Sequence, residues 1–132
     1  MYRISKIIFS LLGWRTIGDN DFPKKCVLIA VPHTSNWDFF YARLYSYIVK
    51  IQPKYLAKKE LFVPFISYII KLNGGIPVDR SKKNKLVDFL SKKIIDSKTI
   101  ILSLSPEGTR KKVDKWKTGF YYIAKRANVP VV

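Results

Sequence analysis

Cys26-Val27-Leu28-Ile29-Ala30-Val31 is an unbroken apolar run rich in β-branched residues, set off by Lys24-Lys25 before it and Pro32 after it. Such a run reads as a strand over 26–31 buried on both faces, and double burial belongs to parallel sheets with helices on either side. The rest of the chain supplies the helices. From about Trp37 to Val49 the spacing is helical, with Pro53 limiting its extent. KYLAK (54–58) is short enough for a second strand. PFISYIIKLNGG (64–75) offers Pro64 at a first helical position and Asn73-Gly74 as a left-handed stop. GGIPVDR (74–80) reads as a brief strand, and KKNKLVDFLSKKIIDS (82–97) repeats Leu86, Phe89, Leu90 and Ile94 as an amphipathic helix does. KTIILSLS (98–105) is a strand broken by Pro106, EGTR (107–110) a turn, GFYYIAKRAN (119–128) a helix and VPVV (129–132) a last strand. Strands alternating with helices specify an α/β fold, a mostly parallel central sheet flanked by helices.

At 132 residues the expectation is one domain, 1–132, with an amphipathic N-terminal segment over 1–22 and an α/β core over 26–132. In the opening MYRISKIIFSLLGWR, Ile4, Ile7, Ile8, Leu11 and Leu12 follow one helical face. The stretch falls short of the roughly 20 apolar residues a bilayer span needs. Lys6 and the lack of a small-residue cleavage pattern argue against a signal peptide. Two placements fit that face: packing on the protein's own core, or lying in a membrane interface with Trp14 and the cations at headgroup level.

With 25 Lys and Arg against 9 Asp and Glu, the net charge is +16, which points to an anionic partner. The 48% hydrophobic content excludes a disordered tail, so these charges belong on a folded surface. They come in short clusters, with no arginine-rich arm and no continuous basic stripe to mark nucleic-acid binding. A single cysteine, Cys26, excludes a disulfide framework and suits a reducing cytosol, while one histidine without a cysteine cluster excludes a structural zinc site.

Three polar clusters fall just after expected strands, at the sheet edge where α/β proteins collect ligands. In HTSNWD (33–38) the only histidine stands five positions before Asp38. In continuous helix that offset leaves the side chains roughly 140° apart, so they meet only if a turn intervenes. With His33 in a loop and Asp38 in the first helical turn, the carboxylate can accept from one imidazole nitrogen and leave the other free as a base. The same letters, Ser35-x-x-Asp38, also form a capping box, which would make Asp38 a helix-start device. In GGIPVDR, Arg80 is either a surface residue or a bidentate phosphate ligand. In SPEGTR (105–110), Glu107, Thr109 and Arg110 share one Pro-kinked turn.

Taken in order, HTSNWD, GGIPVDR, SPEGTR and VPVV resemble the four motifs of the glycerolipid acyltransferases. The 1-acyl-sn-glycerol-3-phosphate acyltransferases, with their H-x4-D signature, are the nearest in pattern. The resemblance covers about residues 26 to 132. It implies transfer of a fatty acyl group from acyl-CoA or acyl carrier protein to the hydroxyl of a lysophospholipid. His33 would be the general base and Asp38 its orienting partner. Arg80, Glu107, Gly108 and Arg110 would surround the acceptor's glycerol phosphate, with Thr109 in the same turn. No metal or cofactor is implied beyond the thioester co-substrate. A thioester is already activated, so no covalent enzyme intermediate is required, and Cys26 lies in the buried strand. The implied setting is cytoplasmic, peripheral on the inner face of the cell membrane. Family members run on past the fourth motif and many carry a membrane-embedded N-terminal segment. Here the chain stops at Val132, which implies a core cut short at that end or a smaller sheet.

Two other classes account for part of the pattern. A non-catalytic basic module for anionic membranes or nucleic acid explains the charge but none of the motif spacing. A Mg-dependent phosphoryl-transfer enzyme would gather Asp38, Asp79 and Glu107 around the cation and leave His33 without a role.

Overall fold

In the structure, a computed structural model describing residues 1–18, 20–79 and 83–132, the apolar runs before residue 129 become strands and the amphipathic runs helices. In chain order these are α1 (Tyr2–Leu11), β1 (Lys25–Ile29), α2 (Trp37–Ile48), β2 (Lys54–Lys58), a 3-10 turn at Lys59–Leu61, α3 (Ile66–Leu72), β3 (Gly75–Val78), α4 (Lys83–Asp96), β4 (Ile100–Leu104) and α5 (Gly119–Ala127). The strands form one parallel sheet in the order β1-β4-β2-β3. Cys26 lies opposite Ile101 and Val27 opposite Leu102, so the two most apolar runs pair directly with each other. Leu102 and Val27 then pack with Leu90 and Ile94 of α4 and Ile123 of α5 in the main core. Each such side chain contributes about 1.5–3 kcal/mol by leaving water.

Three expectations change in detail. β1 ends at Ile29, short of residue 31. The Ala30 N–H still donates to the Leu104 carbonyl at 3.0 Å, but Pro32 has no N–H to extend a ladder. VPVV makes a single parallel bridge, Val131 with Val27. It is held by the Val27 N–H on the Pro130 carbonyl and the Val132 N–H on the Val27 carbonyl, with Pro130 itself unable to donate. Pro64 is not a first helical residue, because Phe65 takes a left-handed φ of 66° and α3 begins only at Ile66.

Gly74 and Gly75 are needed for room. Gly74 adopts φ +87°, and a Cβ on it would stand 2.7 Å from the Pro53 carbonyl oxygen. A Cβ on Gly75 would strike the Ile70 side chain and stand 2.9 Å from the Ile70 carbonyl oxygen, so α3 rests directly on the start of β3. Gly75→Ala should destabilise the fold by about 1–3 kcal/mol, read as a lower urea midpoint with an unchanged slope.

The N-terminal helix buries a different stripe from the one its isoleucines suggest. Ser5 and Phe9 are its buried residues, facing α2. Phe9 meets the Trp14 ring at 6.0 Å, and Trp14 stacks on Tyr41 of α2 at 5.1 Å. Ile4, Ile7, Leu11 and Leu12 are left 50–82% exposed, so packing on the protein's own core does not account for that face. Among the described residues no helix is long and apolar enough to cross a membrane.

Candidate active site

In a parallel sheet the carboxyl ends of β1 and β4 lie side by side, and the loops that follow them carry HTSNWD and SPEGTR. The two loops are bonded to each other. The His33 N–H donates to Glu107 Oε2 at 2.7 Å, and the Ser105 hydroxyl lies 3.4 Å from the same oxygen. Arg110 donates to Asn36 Oδ1 at 2.5 Å, so a second link joins the same loops.

Within the first loop, Asp38 occupies the opening turn of α2, where a carboxylate also suits the helix dipole. Its Oδ2 accepts from the Thr34 N–H at 2.5 Å and the Ser35 N–H at 2.7 Å, and lies 3.3 Å from His33 Nδ1. The Ser35 hydroxyl in return accepts from the Trp37 N–H at 3.1 Å. The capping box and the His–Asp pair are therefore one device: the oxygen that secures the helix start also meets the imidazole. His33 and Asp38 are both partly buried. Nδ1 lies within reach of the carboxylate, and Nε2 has no partner among the described residues.

The Ser35 N–H above all holds the Asp38 carboxyl below the usual carboxylate range, with the Thr34 N–H, the Ser35 hydroxyl and the imidazole assisting against partial desolvation. Because the folded carboxyl is the stronger acid, the unfolded chain takes up this proton first as pH falls. The stability it contributes is present above the ordinary aspartate range, near 3.9, and is lost on descending through the lowered folded value. The urea midpoint of the parent should therefore fall more between pH 5 and pH 3 than that of Asp38→Asn. The difference is modest, since solvent screens the pair.

The remaining expected site residues divide. Gly108 has a left-handed φ of +64°, which only glycine adopts without strain, and its N–H donates to the Ser105 carbonyl at 3.2 Å. Thr109 is exposed and its hydroxyl accepts from the Lys111 N–H, which shapes the turn. Arg110 is exposed and tethered to Asn36. Arg80 lies outside the described residues. Asn36 is a site residue that motif spacing did not single out; its position inside HTSNWD is the one signal that marks it. Cys26 is fully buried, and burial pushes its thiol up, away from nucleophilic use. Among the described residues no three imidazole, thiol or carboxylate groups gather where they could hold a metal ion, so Asp38, Asp79 and Glu107 do not form the cluster a Mg site needs.

Fold and site define the class: a parallel α/β protein whose sheet edge presents a histidine backed by a carboxylate. The chain belongs to the Acyltransferase family, whose model matches residues 14–132. It is 27% identical to the 1-acyl-sn-glycerol-3-phosphate acyltransferase of Saccharomyces cerevisiae, over 99% of this chain and 45% of that protein. It is 28% identical to the probable 1-acyl-sn-glycerol-3-phosphate acyltransferase of Mycoplasma pneumoniae, over 100% of this chain and 53% of that protein. The crystal structure of the 1-acyl-sn-glycerophosphate (LPA) acyltransferase PlsC from Thermotoga maritima superimposes with a TM-score of 0.61. That match has 23% identity and covers 98% of this chain and 53% of the other, which shows a shared fold. The chain spans about half the length of the curated relatives it matches.

Proposed function

We propose that this chain transfers a fatty acyl group from an acyl thioester, acyl-CoA or acyl carrier protein, to the free hydroxyl of 1-acyl-glycerol-3-phosphate, giving phosphatidic acid. The observation that carries the reading is the single His33 ring, with Nδ1 against Asp38 and Nε2 without a partner among the described residues, at the carboxyl edge of the sheet. Nε2 takes the acceptor's hydroxyl proton as the oxygen attacks the thioester carbonyl. The C–O bond forms, the C–S bond breaks, and the leaving thiolate recovers the proton from the imidazolium. Asp38 fixes the tautomer that makes Nε2 the base and stabilises the imidazolium, the arrangement of a hydrolase triad with substrate alcohol in place of serine. Arg110 binds the acceptor's phosphate, and Arg80 is assigned the same task from its motif. Glu107 accepts the His33 N–H and sets the loop. A carboxylate beside a phosphate would repel it, so this positioning role suits Glu107 better than contact with the acceptor.

The acceptor is a lipid, and the open face of Ile4, Ile7, Leu11 and Leu12 suits a bilayer interface. Each Lys or Arg that comes near an anionic leaflet adds about 1 kcal/mol to docking, and the chain's net charge of +16 favours such a surface. We therefore assign the protein to the cytoplasmic side of the cell membrane as a peripheral protein. The same charge suits acyl carrier protein or the phosphates of coenzyme A.

The test is release of free thiol from acyl-CoA or acyl carrier protein, with and without lysophosphatidic acid, in the presence of EDTA. Acceptor-dependent release that persists in EDTA is expected. Release abolished by the chelator, or none with any lysolipid, would refute acyl transfer by this site.

A further inference from the structure

Lys117 has its side chain drawn back over the SPEGTR turn. Its Cδ, Cε and Nζ lie 2.9, 2.8 and 2.5 Å from where a Cβ on Gly108 would stand, so the stem passes through space that only glycine leaves open. Its backbone is fixed to the same turn, the Lys117 N–H donating to the Pro106 carbonyl at 2.8 Å. A surface lysine left to itself keeps its rotamer freedom, and laying the stem along a turn gives that up. Nor does a carboxylate explain the placement, since Lys117 makes no ion pair among the described residues. Among the described residues Arg110, two residues beyond Gly108, likewise has only the neutral Asn36 amide as partner. Lys117 and Arg110 thus bring two cations to the turn that also holds Glu107, whose carboxylate is taken by the His33 N–H, and an anion bound by both cations would lower their mutual repulsion.

We propose that Lys117 is a further phosphate-binding residue of this site, its ammonium seated over Gly108 so that Lys117 and Arg110 together take one phosphate group. Gly108 then serves by its missing side chain, as the seat of the lysine, and makes no contact with substrate itself. The shared chemistry is a phosphate monoester. It comes from either the acceptor's headgroup or the phosphates of the thioester donor; the choice between them rests on the acyl-transfer reading, and the phosphate site itself does not.

Isothermal titration of the full chain with glycerol 3-phosphate, coenzyme A and glycerol distinguishes the cases. Lys117→Met should weaken glycerol 3-phosphate binding by about tenfold to a hundredfold, the loss of one charge-assisted bond, while Lys117→Arg largely preserves it. Gly108→Ala should act in the same direction as Lys117→Met by displacing the stem, with circular dichroism confirming that each variant is folded. Weakening confined to coenzyme A would keep the phosphate assignment and place its source on the donor. Unchanged affinity for both phosphates in Lys117→Met, or no binding of either by the parent, overturns the proposal. A parent that binds glycerol 3-phosphate yet, with lysophosphatidic acid present, releases thiol from neither acyl-CoA nor acyl carrier protein would defeat the acyl-transfer reading and leave the Lys117 site standing.

Discussion

His33→Gln should lower kcat for acyl transfer by about 10² to 10⁴-fold, the range spanned by loss of a positioned general base, with little change in KM for either substrate. Glutamine fills similar space but cannot take up the hydroxyl proton. The substitution leaves the loop's main supports in place, because Glu107 holds the backbone N–H of residue 33 and Asp38 the N–H groups of Thr34 and Ser35. A fall in kcat is thus assignable to the ring. Steady-state thiol release over a range of both substrates reads the result, and a raised acceptor KM with kcat intact would place His33 in binding.

Glu107→Leu should have the second largest effect, a loss in kcat of about 10²-fold, the scale that a displacement near 1 Å imposes on a positioned group. Leucine leaves the partly buried His33 N–H without an acceptor, which costs about 1–3 kcal/mol, and the loop relieves that cost by moving and carrying the imidazole with it. Glu107→Gln keeps a carbonyl oxygen at the same reach and should retain most of the rate. The pair separates two roles. A carboxylate that contacted the acceptor would show in KM for both variants, whereas a support for His33 shows in kcat for leucine alone. Equal losses in leucine and glutamine, expressed in KM, would return Glu107 to the acceptor.

The strands could be read from the chain because burial on both faces leaves apolar runs such as Cys26–Ile29, and Ile100–Leu104 with only Ser103 interrupting it. The order in which they pair could not, since β1-β4-β2-β3 depends on crossovers that no local run encodes. The same division holds for α1. Its periodicity marked a helix, but which stripe is buried was decided by the Phe9, Trp14 and Tyr41 rings, contacts reaching into α2. At the site, the His33–Asp38 pair was recoverable because five residues with a turn between them are a local matter. The bond from the His33 N–H to Glu107 was not, because it joins residues 74 apart through a backbone N–H, which leaves no trace in residue type. Asn36 with Arg110 spans the same separation. Lys117 stands among other lysines, with nothing local to distinguish it.

In the proposed mechanism Asp38 keeps the proton of the reacting His33 ring on Nδ1 and so leaves Nε2 as the base. With one histidine in the chain, nitrogen-15 labelling of histidine yields a single imidazole whose two nitrogen shifts report the tautomer directly, without need of substrate. The neutral ring should show a protonated Nδ1 and a bare Nε2, and Asp38→Asn should lose that preference. A proton resident on Nε2 in the parent, or the same tautomer populations in parent and Asp38→Asn, would contradict the account.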